Sequence, residues 1–284
     1  MSDIGTMLAS CVIFLFSENG ISPLGTAFIV GYPTPNNQKE FIPIVVTAKH
    51  VIANQSKIVG RFTSKEGKTL FINYDLTKIK SDGDLWEDEN DNGLDIVAFR
   101  TEAPTDADFA TFPIADIASR DDFKTEEIKA TDRIIFPSLL LNFTGTTKNY
   151  PVIRDGTIAL IPDTKIDMKF KSGGQLIQTS QEIILLNAAS FPGASGSPVF
   201  LFPGMRIKNR AINTGGGKAL LLGVMHGFYP AQEKEVNEHD VTKAKYSYSE
   251  NSGIAVMFPS YRIRELLEGN KIKQRIDKLL NHHH

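Results

Sequence analysis

Three residues of this chain could do chemistry together: a serine in a glycine-rich turn, a histidine ending an apolar strand and an aspartate opening another. The serine lies in Pro192-Gly193-Ala194-Ser195-Gly196-Ser197-Pro198-Val199-Phe200. Glycine lets a backbone turn tightly, so that N–H groups can point into one small space. The serine then projects from the turn, and the amides of Gly193 and Ser195 are placed to hold an oxyanion. A serine hydroxyl is a poor nucleophile at neutral pH. It needs a base within hydrogen-bond reach, and that base needs an orienting acid. His50 ends Val46-Thr47-Ala48-Lys49-His50, and Asp95 opens Asp95-Ile96-Val97-Ala98-Phe99 after Leu94. Asp82, Asp84, Asp88 and Asp91 are competing acids just upstream. Asp95 is preferred because it leads directly into an apolar strand.

The elements that must position these residues read as strands. Short apolar or β-branched runs recur at 9–16, 25–31, 41–47, 56–63, 69–73, 95–100, 132–136, 152–161, 183–187, 197–201, 219–228 and 253–258, separated by Gly, Pro, Asn and Asp clusters. Loops are expected at 32–40, 80–94, 143–150 and 203–218. Two helices close the chain. Ser260 is placed to cap the first, with Ile263, Leu266 and Leu267 on one face. After Gly269-Asn270, Ile272, Ile276, Leu279 and Leu280 form the second apolar face, opposite Lys271, Lys273, Arg275 and Lys278. Many short strands followed by a terminal helix predict an all-β protein of one or two barrels.

Composition narrows the classes. The 284 residues are 41% hydrophobic, enough for a full core without staples. The balance of 31 Lys+Arg against 33 Asp+Glu lacks the basic excess of a nucleic-acid binder, so no nucleic-acid partner is expected. One cysteine, Cys11, permits no intrachain disulfide and points to a reducing, cytoplasmic setting. The apolar run Leu8–Phe16 has no Lys or Arg before it and is too short to span a bilayer, so it is read as a buried strand and no membrane association is expected. His282, His283 and His284 read as a purification-tag remnant.

The chain resembles the chymotrypsin/trypsin-like serine peptidases. The matching residues are Gly25-Thr26-Ala27-Phe28, Thr47-Ala48-Lys49-His50, Asp95-Ile96-Val97-Ala98, Gly193-Ala194-Ser195-Gly196-Ser197-Pro198-Val199-Phe200 and Gly253-Ile254-Ala255-Val256. The order His, Asp, Ser agrees with that family and not with subtilisin-like or α/β-hydrolase enzymes. The Ser-Gly-Ser-Pro-Val-Phe run is similar to that of bacterial glutamyl endopeptidases, and the disulfide-free scaffold to HtrA-type proteases. The resemblance implies two antiparallel β-barrels with a C-terminal helical segment: residues 1–110 with His50 and Asp95, 111–258 with Ser195 and the S1 pocket, and helices at 259–281. It implies Ser195 as nucleophile, His50 as base and Asp95 as orienting acid, with an oxyanion hole from the N–H groups of Gly193 and Ser195. Protein or peptide substrates are expected, with restraint by an activating or inhibiting protein partner. No cofactor and no metal is expected.

Departures from the family pattern bear on activation and specificity. Ala194 stands where zymogen-activated members have Asp, so the oxyanion turn must form without a freed N-terminus. Lys49 stands where a small residue is usual and puts a charge at the cleft rim. The resemblance places Ala189 at the base of the S1 pocket, where it offers no charge for a basic P1 side chain. Ser190 offers a hydroxyl, and His226-Gly227 belongs to the strand edging the pocket. If His226 points into the pocket, P1 is acidic or Gln; if Met225 does, P1 is small or aliphatic. His239, among Glu233, Glu235, Glu238 and Asp240, reads as a surface residue. Asp88 to Phe99 begins like a calcium loop but has Phe where the last ligand belongs. Gly215-Gly216-Gly217-Lys218 lacks the first glycine of a phosphate loop.

Overall fold

The computed structural model describes residues 4–34, 37–102, 104–125, 128–202, 206–208, 211–213, 220–236 and 246–281. A short helix, α1 (Ile4–Ala9), precedes β1 (Val12–Ser17), β2 (Pro23–Thr34) and β3 (Asn37–Thr47). Then come α2 (Lys49–Ile52), β4 (Lys57–Thr63), β5 (Thr69–Asp75), α3 (Leu76–Ser81), β6 (Leu85–Trp86), β7 (Val97–Arg100) and β8 (Thr111–Pro113). These strands form one curled sheet in the order β5-β4-β1-β2-β3-β7-β6, with β8 added in parallel to β2. Burial follows position. Central β1 is buried at Val12 through Phe16, whereas edge strand β5 alternates toward solvent. Phe14 and Phe28 are buried on one face of this sheet and Phe62 and Phe99 on the other.

The second half is a closed barrel. Helix α4 (Arg120–Lys124) starts with a Ser119/Asp122 capping box. It leads to β9 (Arg133–Ser138) and β10 (Val152–Leu160), then a hairpin of β11 (Ile166–Ser172) and β12 (Gln175–Gln181). Next come β13 (Ile184–Asn187), β14 (Pro198–Leu201), a small hairpin of β15 (Arg206–Lys208) and β16 (Ala211–Asn213), and the long strands β17 (Leu220–Val236) and β18 (Tyr246–Pro259). The barrel closes in the order β10-β13-β18-β17-β14-β9 around Phe136, Ile158, Leu186, Leu222, Met225 and Met257. Helices α5 (Tyr261–Leu267) and α6 (Asn270–Asn281) end the chain. The architecture is the expected all-β one of two barrel-like halves with a C-terminal helical segment, the first half being an open curled sheet.

Details differ from the sequence reading. Ser260 starts α5 with helical backbone angles and does not cap it; its buried hydroxyl donates to the Ala118 carbonyl at 2.9 Å. Residues 166–181 form a hairpin that the apolar-run pattern does not single out, because Asp167, Lys169 and Lys171 alternate with Ile166, Met168 and Phe170. Cys11 sits just before β1, and burial pushes its thiol pKa up to about 12. Among the described residues, no helix is long and apolar enough to cross a membrane. His239, Gly215-Gly216-Gly217-Lys218 and the terminal histidines lie outside the described residues.

Candidate active site

His50 lies on α2, the helical turn that follows β3, and Asp95 lies just ahead of β7, the neighbour of β3. The pairing of Thr47 with Val97 brings the two strand ends together. Asp95 is 2% exposed. Its Oδ1 accepts the His50 backbone N–H at 2.8 Å, and its Oδ2 lies 2.6 Å from His50 Nδ1. Burial disfavours the carboxylate, but the charges and hydrogen bonds of the two histidines beside it outweigh that and hold Asp95 well below the usual carboxylate range. An ionised carboxylate only accepts, so Nδ1 of His50 must carry the proton. Nε2 of the neutral ring is then left as the base. Burial opposes charging of His50, and Asp95 more than offsets it, so its pKa is raised.

The second histidine on Asp95 is His226. Its Nδ1 lies 2.5 Å from the same Oδ2. The His50 and His226 rings meet edge to face with centroids 5.2 Å apart, and Phe170 and Phe258 pack edge-on against His226 at 4.7 and 5.7 Å. Strand alternation sends Met225 the other way, into the barrel core, where it is 0% exposed.

The serine turn is seated on the strand ends that carry His50. Gly193 and Gly196 have φ of 100° and 84°, which side chains with a Cβ rarely adopt. A Cβ on Gly196 would collide with the Thr26 carbonyl and the Thr47 hydroxyl, two residues from the start of α2. Thr26 joins the halves: its hydroxyl donates to the Gly193 carbonyl at 2.7 Å and accepts the Leu139 N–H at 2.9 Å. Its own N–H donates to the Ser195 carbonyl at 2.9 Å. Gly25 lets β2 approach this turn, since a Cβ there would lie 3.0 Å from the Ser195 carbonyl and 2.9 Å from Val51. The Ser195 hydroxyl donates to the His226 carbonyl at 2.8 Å. Among the described residues, the N–H groups of Gly193 and Ser195 make no hydrogen bond.

The remaining predicted residues lie around this cluster. Ala189 is exposed, Ser190 is buried and Gly227 is half-buried. Lys49 pairs with Glu87 at 2.6 Å. The β11–β12 hairpin reaches across from the barrel: Phe170 meets His226, Gly173 meets Asn54 just beyond α2, and Gln181 donates to Asp91 at 2.6 Å. Asp88 and Asp91 are both paired with Arg262. A groove of about 700 Å³ between this tract and α5–α6 is lined by Trp86, Arg262 and Arg275 but by none of His50, Asp95 and Ser195. His50, Asp95 and His226 also constitute a group able to hold a metal ion. Spacing could not reveal it, because its members lie on a helical turn after β3, just ahead of β7 and within β17, far apart in the chain.

No protein-family model matches the chain, and no curated protein does. Solved structures do. The apo form of the MamO protease domain from Magnetospirillum magneticum aligns with a TM-score of 0.51 over 91% of this chain and 96% of that one, at 12% identity. Human heparin binding protein aligns with a TM-score of 0.51 over 95% and 94%, at 9% identity. An atomic-resolution structure of HBP aligns with a TM-score of 0.50 over 95% and 94%, at 8% identity. The chain therefore has the chymotrypsin-like fold. One neighbour is called a protease and another a binding protein, so the fold alone does not choose between turnover and binding.

Proposed function

We propose that this chain is a serine endopeptidase. Ser195 attacks the scissile carbonyl as its hydroxyl proton passes to His50 Nε2. The oxyanion so formed is held by the N–H groups of Gly193 and Ser195. His50 returns the proton to the leaving amine, and water repeats the sequence on the acyl-enzyme. The observation that carries this reading is the buried, ionised Asp95 bonded to His50 beside a serine turn whose two donor amides are unclaimed. The Ser195 hydroxyl must leave the His226 carbonyl to meet His50.

Engagement of His226 by Asp95 takes its ring away from an acidic P1 side chain, so a small or aliphatic P1 is proposed. Cytoplasmic residence rests on the single cysteine, and restraint by a protein partner remains part of the proposal. A peptide-library digest tests it. Cleavage after small or aliphatic residues, absent in Ser195→Ala, is expected. Cleavage after Glu that disappears in His226→Ala would overturn the specificity.

One observation favours a second reading, a peptide- or protein-binding module without turnover: the serine hydroxyl is engaged with a carbonyl and not with the base. Tight peptide binding without cleavage would support that reading.

A further inference from the structure

We propose that His50, Asp95 and His226 form a binding site for one transition-metal dication of the zinc class. We further propose, resting on the peptidase reading, that an ion bound there switches the base off. Nδ1 or Nε2 of each ring and a carboxylate oxygen of Asp95 lie within 4.8 Å of one another. Two imidazole nitrogens and one carboxylate oxygen suit zinc and its neighbours, whereas calcium and magnesium take oxygen ligands. Orienting a single base needs one imidazole on Asp95. The second brings another nitrogen to the same oxygen, at 2.5 Å beside the first at 2.6 Å.

These are hydrogen-bond lengths. A tetrahedral ion with bonds of roughly 2.0–2.2 Å holds its ligand atoms about 3.3–3.5 Å apart. Each Nδ1–Oδ2 pair must therefore open by less than about 1 Å, within reach of small side-chain rotations. The side chains of His50 and His226 are 23% and 11% exposed and that of Asp95 is 1% exposed, so the ion would arrive from the cleft with the carboxylate behind it. Phe170 and Phe258 supply a dry wall on the His226 side.

The proton balance makes the site a switch. A metal on Nδ1 displaces the proton that now points at Asp95, and the neutral ring instead carries its proton on Nε2. In that tautomer His50 has no lone pair for the Ser195 proton. No net proton is released when both rings start neutral.

The test uses the whole 284-residue chain with His282→Ala, His283→Ala and His284→Ala, which removes a competing metal ligand set. Cobalt(II) is titrated and followed by its visible ligand-field absorption and by calorimetry. The expected result is one ion per chain with the intense bands of tetrahedral coordination, and affinity lowered more than about tenfold in His226→Gln and in His50→Gln. Ser195→Ala should bind cobalt as the parent does, so the result does not depend on turnover. A rise in the parent's thermal midpoint with zinc provides a readout that needs no variant. Absence of stoichiometric binding, or binding unchanged in both histidine variants, would overturn the site. Zinc at saturation should suppress fluorophosphonate labelling of Ser195, with recovery on chelation; labelling unchanged by bound zinc would overturn the switch. Metal binding in a chain that never labels would sustain the site and refute the peptidase reading.

Discussion

The two halves of the molecule close in different ways. The second is sealed by backbone hydrogen bonds around a ring of six strands. The first ends at β5 and β6, and its edge regions are held by side chains and loops from elsewhere. Near one edge, buried Arg61 of β4 reaches Asn149 at 2.7 Å, the Gly145 carbonyl at 3.1 Å and the Thr144 carbonyl, all in the loop between β9 and β10. At the other, Asp84 pairs with Arg275 of α6 at 2.7 Å, and Asp88 and Asp91 pair with Arg262 of α5. The serine turn belongs to the half fixed by its backbone. His50 and Asp95 belong to the half fixed by polar clamps.

Breaking the first clamp should have the largest effect. Arg61→Leu strips partners from Asn149 and two loop carbonyls and removes the guanidinium stacked over Phe14 and Phe16. A loss of about 3 kcal/mol is expected in urea unfolding. A loss below about 1 kcal/mol would mean that packing alone holds this edge. Gly196→Ala tests the backbone-fixed half. Its positive φ and the crowding by Thr26 predict a loss of about 2 kcal/mol, with Ser195 labelling falling in parallel.

The helix clamp should be weaker and pH-dependent. Burial raises the Asp84 pKa, but hydrogen bonds from Arg275 and Arg100 outweigh it and hold the carboxyl below its usual range. A depressed carboxylate contributes stability above its unfolded pKa of about 3.9 and loses it as pH falls through the folded value. Arg275→Ala should thus cost about 1 kcal/mol at neutral pH. The gap from the parent should shrink as pH falls below the ordinary carboxylate range. A gap that is flat with pH would show that Arg275 acts through packing. Smallest of all, Lys49→Ala removes an ion pair whose partners are 28% and 25% exposed. It should change stability by no more than about 0.5 kcal/mol, and labelling within a factor of two would confirm that the charge at the rim is incidental.

Much of this arrangement was legible in the chain, and the parts that were not share a cause. Gly25-Thr26, Thr47 and Gly193 to Gly196 stood out as motifs, and each proves to be a point where backbones meet too closely for a larger residue or where a hydroxyl bridges the halves. His50 and Asp95 are placed in the same half by the sequence, and the pairing of β3 with β7 is what joins them. The direction of His226 was not legible, because Leu221 through Met225 are all buried and such a run has no alternation to set its register. The clamps were equally hidden. Within the expected loop at 80–94, Asp84, Asp88 and Asp91 meet Arg262 and Arg275, nearly 200 residues on. The cationic face of α6 supplies one of those arginines.

In the proposed triad Ser195 is the nucleophile, activated by His50, whose ring Asp95 orients. Mass-resolved labelling of the intact chain with a fluorophosphonate tests it directly. One adduct per chain is expected, mapped to Ser195, abolished in Ser195→Ala and slowed at least about 100-fold in His50→Ala. Absence of an adduct in the metal-free chain, or labelling at the same rate without His50, would contradict it.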